Sequence, residues 1–152
     1  MKKTMLAILL CGVMVLGITG CGSSNTFDVG NVSDVEISNN NGVTLSIKDD
    51  TLKNTGATFI LKNDSDMDVQ YGDSYEIEIE KDSRWHKINV ELNFNSPAYT
   101  LKTKTSEEIE LKWENEYGKL APGNYRILKS IDTEMEDGTF DTFYVAAEFT
   151  IK

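Results

Sequence analysis

The sequence predicts an all-β chain folded as a two-sheet antiparallel sandwich of about seven or eight short strands, and three observations carry that prediction. From Gly42 to the C-terminus, apolar and polar residues alternate at period two, the mark of strands with one face in a core and the other in water. No segment longer than a turn shows helical spacing, and clusters of Gly, Asn, Asp, Ser and Pro interrupt the alternation roughly every 8 to 15 residues. Strands that short and that numerous close into two packed sheets more readily than into a barrel.

The N-terminus is organised differently. Lys2 and Lys3 form a short positive region, Met5 to Val15 is almost wholly apolar, and Leu16-Gly17-Ile18-Thr19-Gly20-Cys21 follows. This run resembles the lipobox of bacterial lipoproteins. The resemblance implies a lipoprotein signal peptide over residues 1–20, cleaved before a Cys21 that carries a thioether-linked diacylglycerol. Met5 to Ile18 falls short of the roughly 20 apolar residues of a membrane-spanning helix. Two acyl chains, of the palmitate kind, contribute about 0.8 kcal/mol per buried methylene, enough for stable anchoring. The expected location is therefore the outer face of the cell membrane.

Cleavage has two further consequences. Cys11 leaves with the signal peptide and Cys21 is occupied by lipid, so the mature chain forms no internal disulfide and relies on burial for stability. Its 132 residues (152 − 20) suffice for one domain, which buries roughly two-thirds of its unfolded surface. Lys2 and Lys3 are lost and no carboxylate is, so fifteen basic residues become thirteen against twenty-five acidic, and the net charge moves from −10 to −12. Nucleic acid is excluded as a partner, and the same field favours cations or basic protein surfaces.

Residues 21–41 are rich in Ser, Asn, Gly, Asp and Val without a sustained period and read as a flexible tether, with an r.m.s. reach of roughly 25 Å. Phe27, Val29, Val32, Val35 and Ile37 leave open the alternative of a short strand along the domain edge. The folded domain is expected over 42–152. Its first strand is Val43, Leu45 and Ile47 against Thr44, Ser46 and Lys48; its second points Ala57, Phe59 and Leu61 one way. Tyr75, Ile77 and Ile79 alternate with Glu76, Glu78 and Glu80, which are expected in water. Lys81-Asp82-Ser83-Arg84 turns that strand into Trp85 to Val90, and Tyr99 with Leu101 marks a short edge strand. Ile109, Leu111 and Trp113 alternate with Glu108, Glu110 and Lys112. Tyr125 to Ile131 comes next, and Phe143, Val145, Ala147, Phe149 and Ile151 close the chain.

Between two of these strands lies Leu120-Ala121-Pro122-Gly123-Asn124-Tyr125. This run resembles the tyrosine corner of Ig-like and fibronectin III-like sandwiches, in which the phenol bonds back to the preceding loop's backbone. Pro122 pre-sets one turn dihedral, and Gly123 allows a positive one. More of the chain is similar to one family. Gly42-Val43-Thr44-Leu45, Tyr71-Gly72-x-x-Tyr75, the charged turn before Trp85, Tyr99-x-Leu101 and Tyr117-Gly118-Lys119-Leu120-x-x-Gly123-x-Tyr125-Arg126 resemble the bacterial Ig-like domains of Gram-positive exported lipoproteins. That resemblance implies an Ig-like sandwich and carries no catalytic motif to transfer.

Chemistry-bearing patterns are few. Asp64-x-Asp66-x-Asp68 has the alternate spacing with which loop carboxylates converge on Ca²⁺. It departs from the EF-hand pattern, with Val69 at the glycine position and Tyr75 in place of the bidentate Glu. These three residues are the candidate calcium ligands, against a solvated acidic turn, and no other cofactor is expected. The glutamates of 76–80 and 107–110 supply carboxylates for acid/base work, but strand alternation already explains them. His86, the single histidine, lacks the partners of a triad or zinc site and reads as an exposed strand residue. Trp85 and Trp113 fall in phase with strand cores.

No pattern supplies a catalytic residue, and the expected function is a lipid-anchored, non-catalytic module that binds another exported protein or a cell-envelope polymer. A cation-stabilised structural spacer and a cell-wall-acting hydrolase are the alternatives. A flat patch of exposed tyrosine favours the binder, and a concave aromatic pocket with paired carboxylates favours the hydrolase.

Overall fold

The computed structural model describes residues 28–38, 41–95 and 97–152, so the signal peptide and Cys21 lie outside the described residues. Ten strands and one helical turn follow in order: β1 (Val29–Val32), β2 (Val43–Ile47), β3 (Gly56–Asn63), β4 (Val69–Tyr71), β5 (Glu76–Lys81), β6 (Arg84–Ile88), β7 (Tyr99–Leu101), β8 (Thr105–Lys112), α1 (Glu114–Tyr117), β9 (Gly123–Glu134) and β10 (Phe140–Ile151). They form two antiparallel sheets packed as an Ig-like sandwich. The smaller is β2-β3-β8; the larger runs β1-β6-β5-β9-β4-β7, with β10 also on β9.

The alternation read from the sequence places the core. Val43, Leu45, Phe59 and Leu61 of the small sheet and Tyr125, Ile127, Ile131, Val145, Ala147 and Phe149 of the large one are all buried. Trp113 stacks on Phe149 with ring centroids 5.5 Å apart, and Tyr125 stacks on Phe149 at 5.7 Å. The Trp113 indole donates to Asn54 O at 2.9 Å, so the large buried ring leaves no polar orphan. Asp82 and Ser83, with φ of 50° and 59°, form the two-residue turn between β5 and β6. Two positive φ values give a turn whose twist matches that of the strands it joins.

Four expectations meet a different outcome. Part of the segment read as a tether takes the alternative of an edge strand: β1 pairs with β6, and the chain then crosses to meet β10 through a parallel bridge between Ile37 and Tyr144. Ser33 N donates to Trp85 O at 2.8 Å and Ser38 N to Tyr144 O at 2.9 Å, which holds this strap across the large sheet's outer face. Under the strap, Glu78 is wholly buried rather than in water, because Arg126 on the neighbouring strand meets it. Trp85 lies on this outer face too, with the Arg126 guanidinium 5.0 Å from its ring centroid, because the hairpin register puts it opposite Glu80. His86 is half-buried, its Nδ1 3.2 Å from Gly30 O, because β1 covers the edge that the sequence left open.

One irregularity shapes the rest of the molecule. β10 occupies one edge of β9, and β4 and β5 share the other in succession, Tyr71 opposite Ile131 and Glu76 opposite Leu128. Four residues, 72–75, therefore face only Lys129 and Ser130. The ladder opens, and Lys129 enters the gap. Its ammonium donates to Gly72 O at 2.5 Å and to Ser74 O at 3.2 Å, although the residue is 1% exposed. Two carbonyls that lost their ladder partners thus gain a charged donor in place of them.

Candidate functional site

Of the residue groups singled out in the sequence, Cys21 lies outside the described residues, and the tyrosine corner and the acidic loop lie in different parts of the sandwich. The Tyr125 hydroxyl donates to Ala121 O at 2.8 Å, the bond of a tyrosine corner. Gly123 acts differently from expectation. Its φ is not positive; instead a Cβ there would stand 3.3 Å from the Tyr125 ring, so glycine leaves the ring room. Leu120 is buried beside this corner and Pro122 precedes it. The corner fixes the entry into β9 and carries no chemistry.

The acidic loop does not converge. Lys62 meets Asp64 at 2.8 Å, Lys104 meets Asp66 at 2.8 Å and Lys102 meets Asp68 at 2.7 Å, so each carboxylate has its own ammonium. The loop is wired instead by Asn63, which is wholly buried. Its side-chain nitrogen donates to Met67 O at 2.8 Å and Leu101 O at 3.2 Å, and its oxygen accepts from Ser65 N at 3.0 Å. Among the described residues no three His, Cys, Asp or Glu side chains are grouped to hold a metal. Asp64, Asp66 and Asp68, the candidate calcium ligands, lie in a turn where each carboxylate is met by a lysine.

The sequence did not single out the place where the structure gathers polar and aromatic groups. Where β4 and β5 part, the large sheet draws back from β8, and a cleft of about 390 Å³ opens between them. Tyr71, Tyr75, Phe94 and Tyr99 line it from the large sheet and the loop after β6; residues 108–112 of β8 line it from the small sheet, with Asp73 and Glu116. Tyr71 and Tyr99 are 5.3 Å apart between centroids, and Tyr75 and Phe94 4.9 Å. Tyr71 and Tyr75 form the floor, buried, whereas Tyr99 is 43% exposed at the mouth.

Each of the three tyrosines is tied to a carboxylate. Tyr71 donates to Glu107 at 2.5 Å, Tyr75 has Glu116 at 3.5 Å beyond a 3.3 Å bond to Lys112 O, and Tyr99 pairs with Asp73. Burial and then Glu107 push the Tyr71 phenol above its ordinary range; burial and then the Glu116 charge do the same to Tyr75. The bond to Asp73 raises that of Tyr99. Behind Tyr75, burial pushes Tyr117 up to about 12, and its hydroxyl accepts from Ile77 N at 2.9 Å. The phenols therefore stay protonated and donate. A phenol polarised by a carboxylate has a more electron-rich ring, which strengthens its attraction for a cation over its face.

This cleft has the concavity that the sequence analysis assigned to a hydrolase, but its carboxylates are placed otherwise. A glycosidic acid needs a carboxyl kept protonated by apolar surroundings. Asp73 and Glu116 are partly exposed and face tyrosine hydroxyls rather than apolar surroundings. The arrangement places aromatic rings and carboxylates side by side in one cleft.

Two packed antiparallel sheets and a tyrosine corner define an Ig-like sandwich. Residues 39–150 match the family model described as a bacterial Ig-like domain, and the chain belongs to that family. No curated protein and no solved structure matches it.

Proposed function

We propose that this chain is a membrane-anchored lipoprotein, held through Cys21 at the outer face of the cell membrane, whose Ig-like domain is a non-catalytic module binding another exported protein or an envelope polymer. The observation that carries the binding half is the cleft, lined by four aromatic rings and open at Tyr99. Clefts of roughly 300 to 1,000 Å³ with aromatic walls and a few placed polar groups are the usual form of a recognition site. The anchoring half rests on the run Leu16 to Cys21 and on the net charge of the chain, which makes adsorption to anionic lipid an unsuitable substitute for a covalent anchor.

A photo-crosslinking side chain at Tyr99 on intact cells should capture a discrete partner, and the same group at Lys53, exposed and outside the cleft, should not. Equal capture from both positions would end the assignment of binding to the cleft. Cys21→Ala should move the protein from the membrane fraction to the medium; retention in the membrane would end the anchor. The concave shape supports one competing reading, a wall-acting hydrolase. Release of reducing ends from purified envelope polysaccharide, lost in Glu116→Gln, would establish it in place of the binder.

A further inference from the structure

The cleft has a wall that no phenol or carboxylate accounts for. Five consecutive residues of β8, 108 to 112, line it, inward-facing and outward-facing ones alike. A strand lends a cleft both of its faces only along its own free edge. β8 pairs with β3 on one side and with nothing on the other among the described residues. Its hydrogen-bonding phase follows from the next rung of the ladder, where Trp113 N donates to Thr55 O at 3.0 Å. Residues 113, 111 and 109 therefore bond inward to β3, and the N–H and C=O groups of Ser106, Glu108, Glu110 and Lys112 turn outward. The Lys112 carbonyl, which receives the Tyr75 hydroxyl at 3.3 Å from the cleft side, agrees with this phase.

We infer that the cleft receives an extended, lysine- or arginine-bearing polypeptide segment, added as a further strand to the free edge of β8. This rests on the binding-module reading and names its partner's chemistry. Unpaired backbone of an edge strand is a template for another chain. In an added strand alternate side chains point to opposite faces, so one set enters the aromatic cleft and the other lies against the outer face of β8. Both environments are acidic. Inside, Asp73 and Glu116 face tyrosine hydroxyls and form no salt bridge among the described residues, Glu107 beside them accepts from Tyr71, and Lys129 brings a cation to the back of the cleft, 5.4 Å from the Tyr71 ring centroid. Outside, Glu108 and Glu110 are paired with Lys48 and Lys112, but these are exposed pairs of the kind that exchanges partners at little cost. A basic side chain entering the cleft meets polarised rings together with carboxylates that have phenols, not cations, as their hydrogen-bond partners. A second copy of this acidic chain would set glutamate against glutamate along the shared edge, which disfavours self-pairing.

The test uses the full chain in detergent and a fluorescent ten-residue peptide of alternating Lys and Val, with alternating Glu and Val as its counterpart. The Lys peptide should bind, the Glu peptide should not, and Asp73→Asn with Glu116→Gln should weaken binding at least tenfold. Two N-methylated versions of the Lys peptide, blocking the donors along one edge or the other, resolve the mode. Strand addition uses one edge, so one version should lose binding and the other keep it. Equal effects of the two would replace strand addition with simple cation capture, no preference for the Lys peptide would remove the inference altogether, and concentration-dependent dimers competing with the peptide would assign the edge to a second copy. If the peptide fails while crosslinking through Tyr99 still captures a partner, this inference falls and the binding module stands.

Discussion

Replacing Arg126 with Met tests the buried centre of the large sheet's outer face most directly. Glu78 is wholly buried, and a single oxygen of its carboxylate accepts both Arg126 Nε and Nη2, each at 2.6 Å. The other oxygen is buried without a partner. Arg126 also lies over Trp85 and reaches Ser33 Oγ at 3.4 Å, so the strap is tied to the same group. Removing the guanidinium leaves a buried carboxylate with no counter-charge, for which about 3 to 5 kcal/mol of destabilisation is expected. A domain of this size has a total stability of roughly 5 to 15 kcal/mol, so Arg126→Met should unfold at a far lower denaturant concentration. Glu78→Leu combined with Arg126→Met removes both charges, and the pair should recover most of the loss, since an apolar replacement of a buried ion pair is often neutral or better. Urea titrations followed by tryptophan fluorescence measure all three variants, and the non-additivity gives the coupling directly. If Arg126→Met and the double variant both lie within about 0.5 kcal/mol of the parent, a typical surface-substitution effect, the ion pair does not hold the sheet as described here.

Three other outcomes follow from named contacts. Tyr125→Phe should cost about 1 kcal/mol through the lost bond to Ala121 O, read as a lower urea midpoint with unchanged slope; an unchanged midpoint means the corner bond contributes nothing. Burial lowers the Lys129 ammonium to about 8, while an unfolded lysine titrates near 10.4. Between those values the unfolded chain binds more protons, so stability should rise with pH, by on the order of 1 to 3 kcal/mol because the two accepting carbonyls oppose the shift. Urea titrations at pH 7.5 and 9.5 should show this rise and its disappearance in Lys129→Met. Above pH 10 the raised tyrosines, which stay protonated longer in the folded state, reverse the slope. Thermal melts in millimolar Ca²⁺ and in chelator should coincide, because Asp64, Asp66 and Asp68 each already hold a lysine; a shift specific to Ca²⁺ and lost in Asp66→Asn would reverse that reading.

Period-two alternation was enough to mark eight of the strands, because it records which face is buried whatever the partner. It was silent on β4 and left β1 only as an open alternative to a tether. Val69–Tyr71 is too short to alternate and follows an acidic turn, and Val29–Val32 becomes a strand only through pairing with β6, a contact that no local pattern encodes. The same blindness applies to Glu78, whose neighbours in sequence are those of a solvated face and whose burial comes from Arg126 and from the strap. The cleft was visible only in fragments. Tyr71-Gly72-x-x-Tyr75 and Tyr99 stood out as parts of a family resemblance, but nothing in their spacing says that the ladder breaks between the first two and brings β8 to face them. Asp64-x-Asp66-x-Asp68 was legible in part for the opposite reason, since spacing showed the carboxylates and hid the three lysines that meet them.

The two-residue surplus at 72–75 and the lysine opposite it behave as one inherited unit. Shortening that stretch by two residues while keeping Lys129 would force an ammonium against a closed ladder; replacing Lys129 with an aliphatic residue while keeping the surplus would strand two carbonyls. Only both changes together would yield an ordinary continuous strand, and that strand would lie where the cleft now opens. Neither change alone therefore closes the cleft without leaving a buried polar group unmatched, which ties the recess to the backbone more firmly than to its exposed side chains.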